Sequence, residues 1–152
     1  MIQAFNNGTI RVKFSILKDF SSAGNASSGL KKILKSVGIV PDLIRRAAIA
    51  SFEAEVNVVA HANGGEMDVL ISPEKLTVVI RDKGPGIPDI EKAMTPGFST
   101  ANDEVRSMGF GAGMGLPNIR SNTDEMRIDT ELGIGTVLTF VIFLQGDGRA
   151  VT

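Results

Sequence analysis

The 152-residue chain contains no cysteine, which excludes disulfides, thiolate metal sites and redox chemistry on thiols. Its formal net charge of −1 leaves no electrostatic footprint for nucleic acid. No apolar run approaches the roughly 20 residues that cross a bilayer, and residues 1–7 lack a basic segment followed by an apolar run. We therefore expect a cytoplasmic protein that binds neither membrane nor nucleic acid directly.

What the chain does contain is enough apolar material for one core, because hydrophobic residues make up 43% of it. Its length is that of one ordinary domain, which we expect to occupy residues 1–152 with a core at about 10–144. The order of periodic segments is strand, two helices, two strands, a long loop, a helix and two strands. This order predicts an α+β fold in two layers, with helices on one face of a mostly antiparallel, mixed sheet.

The predicted elements follow from alternation in the strands and from capping and turn residues around the helices. Ser27 or Ser28 is expected to cap the first helix, Gly38 to end it, and Pro41 to open the second. The predicted strands are residues 9–17, 66–72, 75–82, 125–130 and 136–144. The predicted helices are residues 28–37, 41–62 and 115–123, with one further helical turn at 89–94.

Asp82 ends a strand whose apolar residues Leu76, Val78 and Ile80 share its face by the two-residue period. A carboxylate on the helix-covered face is costly unless it finds a donor, and the exocyclic amine of adenine is such a donor. The glycines at positions 84 and 86 would let the backbone approach a base and turn sharply away. The alternative is an aspartate that merely opens an ordinary turn.

Four glycines alternate just before the predicted helix at residue 115. Consecutive backbone N–H groups freed in this way can point into one concavity and bind an anion, and the helix adds its positive end. The alternative is a flexible hinge. The predicted phosphate-binding residues are Gly109, Phe110, Gly111, Ala112, Gly113, Met114, Gly115 and Leu116.

The long helix carries Glu53, Asn57 and His61 at spacings of four, which places them on one side. The Asn57 carbonyl oxygen suits Mg²⁺, which takes oxygen ligands and keeps waters and phosphates. Glu53 could then activate a hydroxyl or a water for attack on a γ-phosphate. His61 is interpreted as a helix residue with a local hydrogen bond, and Glu55 as a solvated residue on another side of the helix.

These motifs resemble those of the GHKL superfamily of ATP-binding domains, which share the Bergerat fold. Glu53 to His61 is similar to the N box, with its catalytic glutamate and magnesium-binding asparagine. Asp82-Lys-Gly-Pro-Gly86 is similar to the box whose aspartate binds adenine, and residues 109–115 to the glycine box beside an ATP lid at about 96–114. The resemblance implies ATP and Mg²⁺ as cofactors. It adds Ile87, Gly84 and Gly86 to the nucleotide contacts, and implies that Thr136 helps to hold adenine through a water.

Within this superfamily the size and the Glu-x3-Asn-x3-His pattern are most similar to the anti-sigma regulatory factors. This resemblance implies a bacterial serine/threonine protein kinase that dimerises, phosphorylates a small antagonist protein of the STAS type and in some cases sequesters a sigma factor. The separate phosphoacceptor domain of sensor histidine kinases and the second, lysine-bearing domain of gyrase-type ATPases are absent from the sequence. The alternatives are a non-catalytic module that binds ATP or ADP to hold a partner, and a scaffold without nucleotide.

Overall fold

The computed structural model describes residues 2–96 and 115–144. Strands β1 and β2 span Ile2–Ala4 and Ile10–Ile16, and a 3-10 turn spans Phe20–Ser22. Two helices follow, and then the described chain runs through two strands, two short helices and two strands. The helices are α1 (Asn25–Ser36), α2 (Pro41–His61), α3 (Ile90–Ala93) and α4 (Gly115–Ser121), and the other strands are β3 (Gly65–Ile71), β4 (Lys75–Asp82), β5 (Glu125–Glu131) and β6 (Gly135–Phe143).

The six strands form one sheet in the order β1-β2-β3-β4-β6-β5. Every described strand pair is antiparallel, so the α+β prediction is confirmed while the expected mixed pairing does not occur in this part of the chain. The strand predicted at 75–82 has the predicted bounds, and the other predicted strands differ by one residue at one or both ends. β1 was not predicted, because three residues are too few for a periodic pattern, and all three are exposed.

Helices α1, α2 and α4 pack on one face of the sheet and enclose the core between the two layers. The period-two pattern of β4 is realised, since Leu76, Val78 and Ile80 are buried under the helices. α2 buries most of its circumference between the sheet, α1 and α4. No helix within the described ranges combines the length and apolar character needed to span a bilayer.

The start of α1 differs from the prediction. The helix begins at Asn25 after Gly24, whose φ is +100°, and no side chain of the local sequence caps it. The buried carboxylate of Glu55 accepts hydrogen bonds from the N–H groups of Ala26 and Ser27, both at 3.0 Å. Glu55 is only 2% exposed, so its interpretation as a solvated residue was wrong. The predicted helix end is confirmed, because Gly38 follows the helix with φ +81°.

Candidate functional site

A cleft of about 590 Å³ opens between the helix layer and one end of the sheet. Its volume lies within the range of small-molecule sites. One wall is the second half of α2, and the opposite wall is the loop after β4 together with α3. The described lining residues are Ala54, Asn57, Val58, Ala60, His61, Ala62, Ile80, Asp82, Pro85, Gly86, Ile87, Pro88, Asp89, Lys92, Ala93, Gly115, Leu116, Thr136 and Leu138.

Asp82 lies half-buried at the cleft end of β4. Its Oδ1 accepts a hydrogen bond from the backbone N–H of Thr136 at 3.0 Å. Within the described part of the chain, no group donates to its Oδ2. Burial raises the pKa of Asp82, while the Thr136 N–H and the nearby charge of His61 oppose that rise. The carboxylate therefore presents one acceptor oxygen to the cleft in a partly desolvated setting, which suits an amine donor.

The loop after Asp82 holds its shape through close backbone contacts. Gly86 has φ +79°, and a Cβ there would lie 2.8 Å from the carbonyl oxygen of Glu131. At Gly84 a Cβ would lie 2.9 Å from the Cβ of Ala62 at the end of α2. Both positions therefore require glycine, and the sharp turn expected at Gly86 is present. The contacts that require glycine are with Glu131 and Ala62, so the approach of this loop to a base stays a prediction.

Asn57 stands at the junction of α2 and α4. A Cβ on Gly115 would lie 3.0 Å from Asn57 Oδ1, so the first turn of α4 rests directly on this amide. Leu116 is buried beside it and lines the cleft. Asn57 and the start of α4 therefore lie side by side in the described part of the chain. The other predicted phosphate contacts, Gly109, Phe110, Gly111, Ala112, Gly113 and Met114, lie outside the described residues, as does the predicted lid apart from Pro96.

Glu53 lies one helical turn before Asn57 but does not line the cleft as described. Its carboxylate is half-buried, and burial raises its pKa. A hydrogen bond with the side chain of Asn118 on α4 partly offsets this rise. A raised pKa brings a carboxylate closer to the proton affinity that a general base needs at neutral pH. Sequence reasoning assigned no role to Asn118.

His61 joins the site more closely than predicted, because it lines the cleft. Burial lowers the pKa of its imidazole, and the charge of Asp82 opposes that effect. The expected local hydrogen bond is not seen among the described residues.

Two further residues missed by sequence reasoning lie in or behind the wall of the cleft. Lys92 of α3 lines it from the side opposite α2. Thr130 of β5 accepts a hydrogen bond from the N–H of Ile87 at 2.8 Å and lies directly opposite Thr136 in the β5–β6 register. The short turn between the two strands was the signal for Thr130, since hairpin pairing places these threonines side by side.

The chemistry of two residues in the cleft fits an adenine nucleotide and Mg²⁺. The acceptor on Asp82 suits the adenine amine, and Asn57 offers a neutral oxygen to a cation. Within the two described ranges, no group of three histidine or carboxylate residues could hold a metal ion. A magnesium ion here would therefore take most of its ligands from phosphates and water, which is its usual preference.

Comparison with known proteins agrees with this geometry. The sequence model of the family described as "Histidine kinase-like ATPase domain" matches residues 18–142. The chain is 33% identical over 100 residues to an anti-sigma F factor of a Thermoanaerobacter species, covering 62% of this chain and 66% of that protein. It is 29% identical over 119 residues to the serine/threonine-protein kinase RsbT of Bacillus subtilis, covering 76% of this chain and 84% of that protein.

A solved structure has the same fold. The crystal structure of the RsbU and RsbW domains of a Mycobacterium tuberculosis protein superposes with a TM-score of 0.63 at 17% identity, covering 93% of this chain and 34% of that one. The chain thus spans about one third of that structure and slightly less than two thirds of the anti-sigma F factor. The family match covers most of the sequence and coincides with the elements that build the cleft. The chain therefore belongs to the histidine kinase-like ATPase domain family, within the GHKL group and related to the anti-sigma kinases.

Proposed function

We propose that this protein is an ATP- and Mg²⁺-dependent serine/threonine protein kinase of the anti-sigma type. Its substrate would be a serine or threonine hydroxyl on a small STAS-type antagonist protein in bacterial signalling. We further propose a single domain over residues 1–152, a cytoplasmic location and a homodimer. The relatives support the class of activity, because one is named a serine/threonine-protein kinase and another an anti-sigma factor.

The proposal rests on one observation, which is that two unlike groups lie in the same cleft. Asp82 offers a desolvated acceptor at the sheet end, and Asn57 lies under the first turn of α4 at the other. An adenine base and a magnesium-bound phosphate chain need these two environments together. Asp82 would bind the base, with Gly84, Gly86, Ile87 and Thr136 forming its surroundings.

Transfer would depend mainly on positioning and charge neutralisation. Bound Mg²⁺ would neutralise phosphate charge, with Asn57 as its protein ligand. Glu53 would accept the proton of the attacking hydroxyl, in keeping with its raised pKa. The glycines at positions 109–115 and Leu116 would bind the phosphates through backbone N–H groups.

One observation favours a second candidate. Within the described ranges, Glu53 is not among the residues that line the cleft, and its carboxylate interacts with the side chain of Asn118. This arrangement fits a non-catalytic module that binds ATP or ADP and sequesters a partner such as a sigma factor.

Incubation with γ-labelled ATP, Mg²⁺ and purified STAS proteins separates the two candidates. A kinase transfers label to a partner hydroxyl, and Glu53→Ala abolishes transfer while ATP binding persists. The matched control is Glu74→Gln, an exposed carboxylate in the β3–β4 turn that should leave the rate unchanged. Transfer by Glu53→Ala at the parental rate would refute the base assignment. Nucleotide-dependent capture of a partner without transfer would establish the binding module.

A further inference from the structure

Thr130 occupies the centre of a small hydrogen-bond network behind the cleft wall. Its Oγ1 accepts the N–H of Ile87 at 2.8 Å, which ties β5 to the loop after β4. The same oxygen lies 3.0 Å from Thr136 Oγ1 and 3.5 Å from the carbonyl oxygen of Gly135. Thr136 lines the cleft, whereas Thr130 lies behind it.

The distances favour one acceptor for the single hydroxyl proton of Thr130. An O–H···O hydrogen bond is usually 2.5–3.0 Å long, so the contact with Thr136 is favourable and the one with Gly135 is at the limit. Thr130 accepts from Ile87 and keeps its one O–H to donate, and the Thr136 oxygen is the nearer acceptor. In this arrangement Thr136 accepts from Thr130, and its own O–H is left to donate elsewhere.

The direction in which the Thr136 hydroxyl donates its proton matters for base recognition. Thr136 adjoins Asp82, whose Oδ1 accepts the Thr136 N–H. The cleft then presents a carboxylate acceptor next to a hydroxyl donor. The pairing edge of adenine carries the complementary pair, the N6 amine as donor and N1 as acceptor. Guanine carries the opposite pair, with O6 as acceptor and N1–H as donor.

We propose that Thr130 is a positioning residue for purine specificity, which acts by turning the Thr136 hydroxyl into a donor toward adenine N1, directly or through one water. This inference rests on the proposed ATP-binding function. Thr130 itself does not touch the base. If the hydroxyl of Thr130 is removed, Thr136 can orient either way, and discrimination at N1 is weakened.

The test measures binding of three nucleotides by calorimetry. 1-Deaza-ATP lacks the N1 acceptor, and 7-deaza-ATP keeps it and serves as the matched ligand control. The variants are Thr130→Val, which removes the hydroxyl at nearly constant shape, and Thr130→Ser, which restores it. Thr139→Val is the control protein, because Thr139 is a half-buried threonine of β6 outside the cleft lining.

Wild type, Thr130→Ser and Thr139→Val should bind ATP and 7-deaza-ATP about tenfold more tightly than 1-deaza-ATP, the usual effect of one hydrogen bond. In Thr130→Val this ratio should fall clearly below tenfold, because Thr136 loses its fixed orientation, and adding Thr136→Val should bring it to about one. A general loosening of the Ile87 loop would instead weaken all three nucleotides together and keep the ratio.

The outcomes are distinguishable. A Thr130→Val protein that keeps the tenfold ratio overturns the role of Thr130 and leaves ATP binding intact. A wild type that binds no ATP overturns the proposed function and this inference with it. Should Thr130→Val fail to fold by circular dichroism, Thr130→Ala removes the same hydroxyl and is judged by the same ratio.

Discussion

Glu55 of α2 caps the start of α1 through Ser27, whose N–H donates to Glu55 Oε1 at 3.0 Å. The second carboxylate oxygen accepts the N–H of Ala26 at the same distance. A helix start leaves backbone donors unpaired, and a negative charge there also complements the helix dipole. The carboxylate therefore fastens α1 to the helix that carries the candidate catalytic residue.

Replacement of Glu55 by alanine should lower the free energy of unfolding by about 3 kcal/mol, because two buried donors lose a charged acceptor. Glu55→Gln should cost less, since its single carbonyl oxygen still accepts. Urea denaturation measures both, with Glu74→Gln as the exposed control. A Glu55→Ala protein within about 0.5 kcal/mol of wild type, the usual range of surface substitutions, would contradict the capping role.

Glu55 also marks where sequence reasoning failed. Periodicity along α2 identified one side for Glu53, Asn57 and His61 and treated Glu55 as solvent-facing. The true partner of Glu55 lies 28 residues away in sequence, at a helix start that no local side chain marks. Such a tertiary cap has no local signal, because the side chain and the backbone donors that it satisfies belong to different elements.

The sheet and the polar end of the cleft were predicted from the sequence more accurately than the role of Glu55. Alternation in residues 75–82 placed Asp82 on the helix-covered face, and the structure has it half-buried there. Gly86 was predicted from the need for a sharp turn, and its φ is +79°. The Thr130–Thr136 contact required knowledge of strand register, which alternation within one strand does not supply.

Asp68 lies on the face of the sheet away from the helices, and its ion pair should make the stability of the fold depend on pH. Its carboxylate forms a bidentate pair with Arg11, at 3.0 and 2.7 Å, and the hydrogen bond and charge of Arg11 hold its pKa below the ordinary value against the effect of burial. A lowered folded-state pKa stabilises the fold above the unfolded pKa of about 4, and the contribution is lost as the pH falls through the folded pKa.

Asp68→Asn should therefore lower the free energy of unfolding by about 1 kcal/mol at pH 7, in line with a partly exposed ion pair. The difference from wild type should shrink as the pH falls below about 4. Urea titrations at several pH values measure it, and the control Asp129→Asn, at the exposed Arg127 pair of β5, should change the free energy of unfolding little. A difference that stays constant down to acid pH would contradict the ionic origin.

The contact between Gly115 and Asn57 gives a third prediction. An added Cβ at Gly115 would press on Asn57 Oδ1 at 3.0 Å and displace the amide. Gly115→Ala should therefore weaken ATP binding by roughly tenfold in Mg²⁺, the effect of about 1.4 kcal/mol of overpacking.

The same variant should lose less affinity in EDTA, since the displaced group is the proposed metal ligand. Ser121→Ala, at the other end of α4, should bind like wild type under both conditions. Equal losses with and without Mg²⁺ would argue against Asn57 as a magnesium ligand.

The most direct test of the account is calorimetric titration of the wild-type protein and Asp82→Asn with ATP and Mg²⁺. The asparagine Oδ1 can still accept the Thr136 N–H, so the fold should be kept while the charged acceptor for the adenine amine is lost. The account predicts saturable binding of one ATP per chain by wild type, and at least about tenfold weaker binding by the variant. No saturable binding by wild type, or equal affinity in the two proteins, would contradict it.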